Sequence, residues 1–328
     1  MKDKDTIIAF LISILVLILS IGIAVMWGST GWVSLFDAEG IKVVGLRFPR
    51  VLVALISGGT LAICGVALQA ILENPLAEPF LLGVSGGAVL GGTIGILFGA
   101  LFSNLITGIR IFAFGGAILS LFFLIFINKR QGRINPINML LTGVIFNGFV
   151  SALVTLFKAL IPATELQRVT LWLSGYIPYF TIGDIVFEVV VVLLFSILLL
   201  LESNRLNLLS VGSDIAITSG VNVERLRMRV FVYTSVLTGV VVSITGLIGF
   251  VGLIVPQGIR AFKIINNRVL LPLSFISGGT FVIIGDLICR LISYKAGFEP
   301  PISSITAIVG APVLFFLLRR YYKMRGGY

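Results

Sequence analysis

The sequence predicts an all-α, polytopic integral membrane protein with about ten transmembrane helices in a single domain, residues 1–328. Three observations lead there. Hydrophobic residues make up 58% of the chain and charged residues only 12%, against about 25% charge in a soluble domain. The apolar excess is blocked: residues 7–27, 51–72 and 79–109 hold no charge, and about 20 apolar residues let a helix cross the hydrocarbon. The basic residues fall in alternate connections, as short cytoplasmic loops require.

The first block follows Lys2 and Lys4 but is longer than a signal-peptide core and has no clear small-residue cleavage site, so it reads as a retained span. Residues 31–50 form an outside connection ending in RFPR, with Pro49 where the next helix starts, a position that tolerates proline. Spans follow at 51–72, 80–101, 107–128, 136–160, 181–201, 230–246, 247–262, 271–291 and 304–318. The segment 247–262 is short and interrupted by Pro256. Residues 161–180, with Glu165, Arg168, Trp172 and Gly175, suggest a short interfacial helix.

With both termini cytoplasmic, ten spans put 16 of the 24 Lys and Arg residues inside. These are Lys2, Lys4, Lys129, Arg130, Arg133, Arg205, Arg225, Arg227, Arg229, Arg260, Lys263, Arg268, Arg319, Arg320, Lys323 and Arg325. Nine spans would place one basic terminus outside and invert part of this bias. The net charge of +10 therefore orients the chain. No basic cluster stands beside aromatics on a polar surface, so nucleic acid is not an expected partner.

Small residues crowd the second and third spans: Gly58, Gly59, Gly65, Gly83, Gly86, Gly87, Gly91, Gly92 and Gly95. Such residues let backbones approach closely within lipid. Gln69 and Asn74 can hydrogen-bond across such a contact. Cys64 and Cys289 sit in apolar segments as core residues. Histidine is absent, which removes imidazole catalysis and histidine metal sites. The charges near spans, Asp184, Glu188, Asp286 and Arg290, lie toward segment ends; Asp286 and Arg290 are spaced to pair within one helix. They read as structural or solvated groups, or as direct participants in transport. Without a convincing internal relay, the energy source is expected in another subunit.

Two inside loops are candidate contact surfaces. In residues 202–229, Ser213 or Asp214 caps a short helix through Ile215, Ala216, Ile217 and Thr218, and Ser219, Gly220 and Val221 end it. A second short helix starts near Asn222 and runs through Val223, Glu224, Arg225, Leu226 and Arg227. These helices suit a membrane surface or a partner protein equally well. The turn ENPLAEP holds Asn74, Pro75, Leu76, Ala77 and Pro79, a rigid inside connection between two spans. Outside, Arg47 and Arg50 either snorkel to headgroups or meet an acidic protein surface.

RFPR, GVALQAILENPLAEPFLLGVSGGA, VGSDIAITSGVNVERLR and GLIGFVGLIVPQGIR together resemble one family. It is the FecCD or BtuC-like permease of binding-protein-dependent ABC importers for iron-siderophores, haem and vitamin B12. The resemblance runs from about residue 7 to 320 and includes LLTG, WLSG, DLICR and TAIVGAP. It implies a type II importer bundle in the plasma (inner) membrane, a homodimer, and two cytoplasmic ATPases that use ATP and Mg. It also implies a periplasmic or lipid-anchored substrate-binding protein, and neither cofactor nor catalysis on this chain.

By the same resemblance, residues 213–227 form the ATPase-coupling element. Arg47, Arg50 and Arg290 meet glutamates of the binding protein. Asn74 to Pro79 are an inside contact or gate region, Pro256 and Gln257 are inner-gate candidates, and Gly249 to Arg260 is expected to form a broken helix near that gate. The family's proline-histidine after FVGL is Pro256-Gln257 here, and ISYKAGFEPPISS departs from the usual pattern after DLICR. The implied function is ATP-driven import of a bulky metal chelate, a ferric siderophore first, with haem, vitamin B12 or an oxyanion as alternatives. An ATP-independent secondary transporter is the rival class, distinguished by inverted repeats and midplane ionisable groups.

Overall fold

The computed structural model describes residues 3–34, 37–98, 105–128, 136–160 and 163–324. In chain order they form α1 (Asp3–Met26), a hairpin of β1 (Trp27–Gly28) and β2 (Gly31–Trp32), α2 (Ala38–Ile71), α3 (Val84–Leu97), α4 (Leu105–Asn128), α5 (Pro136–Leu160) and α6 (Ala163–Leu173). Then come α7 (Val186–Leu201), α8 (Ser203–Val211), α9 (Ser213–Thr218), α10 (Val223–Thr245), α11 (Val251–Ala261), α12 (Asn267–Ala296) and α13 (Ile302–Met324). Lys2, Lys129, Arg130, Arg133 and Arg325, which the charge argument uses, lie outside the described residues.

Among the described residues, seven helices are long and apolar enough to cross a membrane: α1, α2, α4, α5, α7 together with the helical turn Gly183–Ile185 that leads into it, α10 and α12. The other expected spans are shorter. Helix α3 has 14 residues, about 21 Å, and α11 has 11, about 17 Å, against a hydrocarbon core of about 30 Å. The apolar part of α13 is Ile302–Phe316.

Three boundaries correct the sequence reading. Helix α2 begins at Ala38, so Pro49 lies inside it rather than at its start. Helix α10 begins at Val223, so the expected second short helix is the first turns of a 23-residue rod. Helix α11 continues through Pro256 instead of breaking there.

The chain packs as two compact units. The first comprises Met1–Val66, Ile177–Val189 and Ile248–Tyr328. Within it α12 packs against α1, α11 and α13. The most apolar stretch of α2 is 89% buried, against 11% for α1, so α2 is a central helix and α1 a peripheral one. Glycine makes that possible. A Cβ on Gly58 would lie 2.2 Å from the Gly278 carbonyl oxygen, and one on Gly65 would lie 1.8 Å from that of Gly252. Pro256 has no N–H to offer the Gly252 carbonyl four residues earlier, and it is this carbonyl that abuts Gly65.

The second unit comprises Ala67–Tyr176 and Val190–Leu247. Helix α3 packs along α4 and also touches α5, α6 and α10. A Cβ on Gly91 would lie 2.0 Å from the Phe112 carbonyl oxygen, so the α3–α4 contact is again backbone to backbone. Val89, Val150 and Val154 form a small apolar core beside it. At the end of α10, Gly246 adopts φ +67 and sits against the Trp172 carbonyl. Cys64 and Cys289 are both buried, as expected of core residues.

Candidate functional site

The second unit gathers the 72–79 turn and the 213–227 segment at one arginine. Helix α2 ends at Ile71, and Glu73 follows in the left-handed region at φ 50. From the second turn of α10, Arg227 Nε donates to the Ile71 carbonyl at 3.1 Å. Its Nη2 donates to Glu73 Oε1 at 2.8 Å and to Ser213 Oγ at 3.0 Å, and the Ser213 hydroxyl donates to the same Glu73 oxygen. The end of α2, the start of α9 and the start of α10 therefore share one guanidinium. A cation is also electrostatically suited to a helix C-terminus.

Local chemistry shapes α9. Gly212 is its N-cap and no side chain caps it; the expected cap Ser213 spends its hydroxyl on Glu73 instead. The end is as expected: Gly220, at φ +83, donates its N–H to the Ile217 carbonyl, and Val221 donates to that of Ala216, a Schellman closure. Asn222 then caps α10, its side chain accepting from the Arg225 N–H at 2.9 Å. Ala216 is buried, whereas Ile215 and Ile217 are 47% and 59% exposed. Asp214, Thr218 and Ser219 are exposed beside them, Val223 and Leu226 are buried, and Glu224 is half-buried. Two apolar side chains thus stand out from a polar loop.

The 72–79 turn is fixed from within. Asn74 Oδ1 accepts from the Leu76 N–H at 2.9 Å, and Gln69 Nε2 reaches the Ala77 carbonyl at 3.3 Å. Ala77 and Pro79 are buried, while Pro75 and Leu76 are exposed. In the first unit, Pro256 is buried and Gln257 half-buried on α11.

The three arginines expected at an outer docking surface are buried instead: Arg47 is 3% exposed, Arg50 1% and Arg290 0%. Arg47 Nη1 donates to the Val25 and Met26 carbonyls at 3.2 and 2.9 Å, and Nη2 donates to Thr30 Oγ1 and the Gly31 carbonyl. Arg290 Nη1 donates to the Ala24 carbonyl at 2.8 Å and that of Trp27 at 3.3 Å. Both arginines thus cap the C-terminus of α1, whose last carbonyls have no helical donor. Gly28 leaves room for them, since a Cβ there would lie 3.0 Å from Arg47 and 3.1 Å from Arg290.

Arg50 makes a different set of contacts. Its Nε and Nη2 donate to Asp286 Oδ1 at 2.9 and 2.7 Å, Nη2 also pairs with Glu299, and the guanidinium lies 4.9 Å over the Tyr179 ring. Asp286 Oδ2 in turn pairs with Arg290 Nε at 2.8 Å. The i,i+4 pairing expected for Asp286 and Arg290 is present, within a larger network.

Sequence reasoning missed the convergence of Glu73 on Arg227, for which the only local signal was an acid directly before Asn-Pro. It also missed Glu202, which is buried and pairs with Arg205 at 2.7 Å and Arg229 at 2.9 Å. The hydrogen bond and charge of Glu202 raise the Arg205 guanidinium above its ordinary pKa.

Comparison with known proteins places this architecture. Residues 6–320 match the model of the FecCD transport family. The cobalamin import system permease BtuC of Halobacterium salinarum is 36% identical over 274 residues, covering 84% of this chain and 72% of that protein. The molybdate import system permease MolB of Haemophilus influenzae is 34% identical over 304 residues, covering 92% and 87%. A solved inward-facing metal-chelate type ABC transporter superposes with a TM-score of 0.85 at 32% identity, over 96% of this chain and 99% of that one. The chain belongs to the FecCD transport family, whose permeases catalyse no reaction themselves and rely on a separate ATPase subunit.

Proposed function

We propose that the chain is the membrane permease of an ATP-driven, binding-protein-dependent importer that passes a bulky metal chelate by alternating access. The agreement in fold with a solved metal-chelate transporter along nearly the whole chain carries this reading. The proposed assembly is a type II bundle of ten spans with both termini cytoplasmic, paired as a homodimer in the plasma membrane. Two ATPases bind ATP and Mg below it, and a substrate-binding protein delivers solute from above. A ferric siderophore, haem, vitamin B12 or an oxyanion is the solute class. The relatives' names, cobalamin and molybdate among them, favour this range over any single member.

In this reading α9 presses Ile215 and Ile217 into the ATPase, and Arg227 relays its displacement to the 72–79 turn through Glu73. Residues Asn74 to Pro79 are the gate or contact turn of the second unit, and Pro256 and Gln257 are separate inner-gate candidates in the first. Buried as they are, Arg47, Arg50 and Arg290 serve the binding protein by holding the end of α1, its hairpin and the Glu299 loop in place. The test is mild crosslinking in the native membrane, affinity purification and mass spectrometry. Recovery of an ATPase and an exported binding protein with its ligand supports the reading, whereas recovery of neither favours an autonomous carrier.

A further inference from the structure

Where α7 ends, an exposed apolar face gives way abruptly to charge. Leu194, Ile197 and Leu201 are 53%, 54% and 70% exposed, and their i, i+3, i+7 spacing places them on one side of the helix. The next residue, Glu202, is buried, and its two carboxylate oxygens hold Arg205 and Arg229. One turn before Arg229 on α10, Arg225 adds a third guanidinium. It is exposed, and its side chain has no ion pair or hydrogen bond among the described residues. The three arginines, with Ser219, Asn222 and Met228, line an open pocket of about 630 Å³. Three guanidiniums against one carboxylate leave an excess of positive charge, and the N-terminus of α10 adds its dipole to it.

This combination, a cationic pocket at the foot of an exposed apolar helix face, complements a molecule with a negative head and apolar tails. We propose that Arg205, Arg225 and Arg229 hold the phosphate of an anionic membrane phospholipid whose acyl chains lie along α7. Guanidiniums match phosphate oxygens in charge and geometry, and basic pockets beside transmembrane helices are suited to anionic headgroups. Glu202 positions two of the three arginines, while Arg225, without a partner of its own, meets the phosphate directly. The site shares Ser219, Asn222 and Arg225 with the 213–227 segment, but neither Ile215 nor Ile217 lines it, so lipid and ATPase binding are separable by experiment.

The experiment is native mass spectrometry of the purified permease in detergent with added phosphatidylglycerol or phosphatidylcholine. It compares wild type, Arg225→Gln, and Arg268→Gln as an exposed arginine on the other unit. Wild type and Arg268→Gln retain phosphatidylglycerol over phosphatidylcholine, Arg225→Gln retains about fivefold less, and inorganic phosphate does not displace the lipid. Equal retention of the two lipids, or an unchanged Arg225→Gln variant, overturns the proposal. Loss of ATPase association in Arg225→Gln with lipid retention intact overturns it in favour of a protein surface. Arg225 is exposed and unpaired, so its replacement leaves the buried Glu202 pairs in place and the fold intact.

Discussion

Removing the Asp286 carboxylate should be the most damaging single change in the first unit. Its two oxygens receive three guanidinium contacts at 2.7 to 2.9 Å, two from Arg50 and one from Arg290. Those arginines are 1% and 0% exposed. In Asp286→Ala, Arg50 keeps Glu299 as a carboxylate partner, and Arg290 keeps the carbonyls of Ala24 and Trp27. Breaking a buried pair from one side costs about 3–5 kcal/mol, because the remaining charge stays buried. Here Arg290 loses its carboxylate while Arg50 keeps one in Glu299, so the loss should fall within that range. Asp286→Asn keeps an acceptor oxygen and should fall between alanine and wild type. Glu299→Gln, at a carboxylate 19% exposed, should cost no more than about 1 kcal/mol. Heat denaturation of the detergent-solubilised permease, read by maleimide labelling of the buried thiols Cys64 and Cys289, ranks the three variants. The reasoning is refuted if Asp286→Ala melts with wild type, or if Glu299→Gln costs as much, since either would mean that water already screens these arginines.

Three further expectations follow from particular contacts. Gly65→Ala places a methyl 1.8 Å from the Gly252 carbonyl, so α2 and α11 must part; a loss of about 1–3 kcal/mol or more should appear as a reduced monodisperse peak in gel filtration. Gly115→Ala, with nothing within 4 Å of its new methyl, should leave that peak unchanged. Glu73→Gln weakens a half-exposed pair worth about 1 kcal/mol at most, so stability should barely move; solute uptake into vesicles should drop, and the exchange Glu73→Arg with Arg227→Glu should restore part of it. Ile217→Asp puts charge on a side chain 59% exposed, so the permease should fold normally yet recover less ATPase on affinity purification.

The parts of this fold legible in the sequence are those whose cause is local. Apolar segments located α4 and α5 to within two residues, and Gly220 and Asn222 marked the end of α9 and the start of α10. Boundaries failed where a distant partner decides. Glu39, Lys42, Arg47 and Pro49 looked like loop, yet they continue α2 because the end of α1 supplies the carbonyls that satisfy Arg47. Arg50 looked like a free outside charge because its acid, Asp286, is 236 positions away. Pro256 looked like a break, but the carbonyl it leaves without an i+4 donor is seated on Gly65, a contact that no hydropathy window contains. Val223 to Arg227 read as a separate short helix because of their charges, although neither glycine nor proline divides them from the apolar residues beyond.

That last continuity has a mechanical consequence. An uninterrupted helix of 23 residues is a stiff rod about 35 Å long, comparable to the thickness of the hydrocarbon core. Packed against α3 and α4 and buried without a break from Leu237 to Thr245, such a rod is anchored in its second half and free to transmit force from its first. Gly246, whose left-handed backbone follows immediately, decouples the next segment's direction from the rod. A push on the Asn222 end would therefore be carried through the rod to Thr245, with no second hinge required in between.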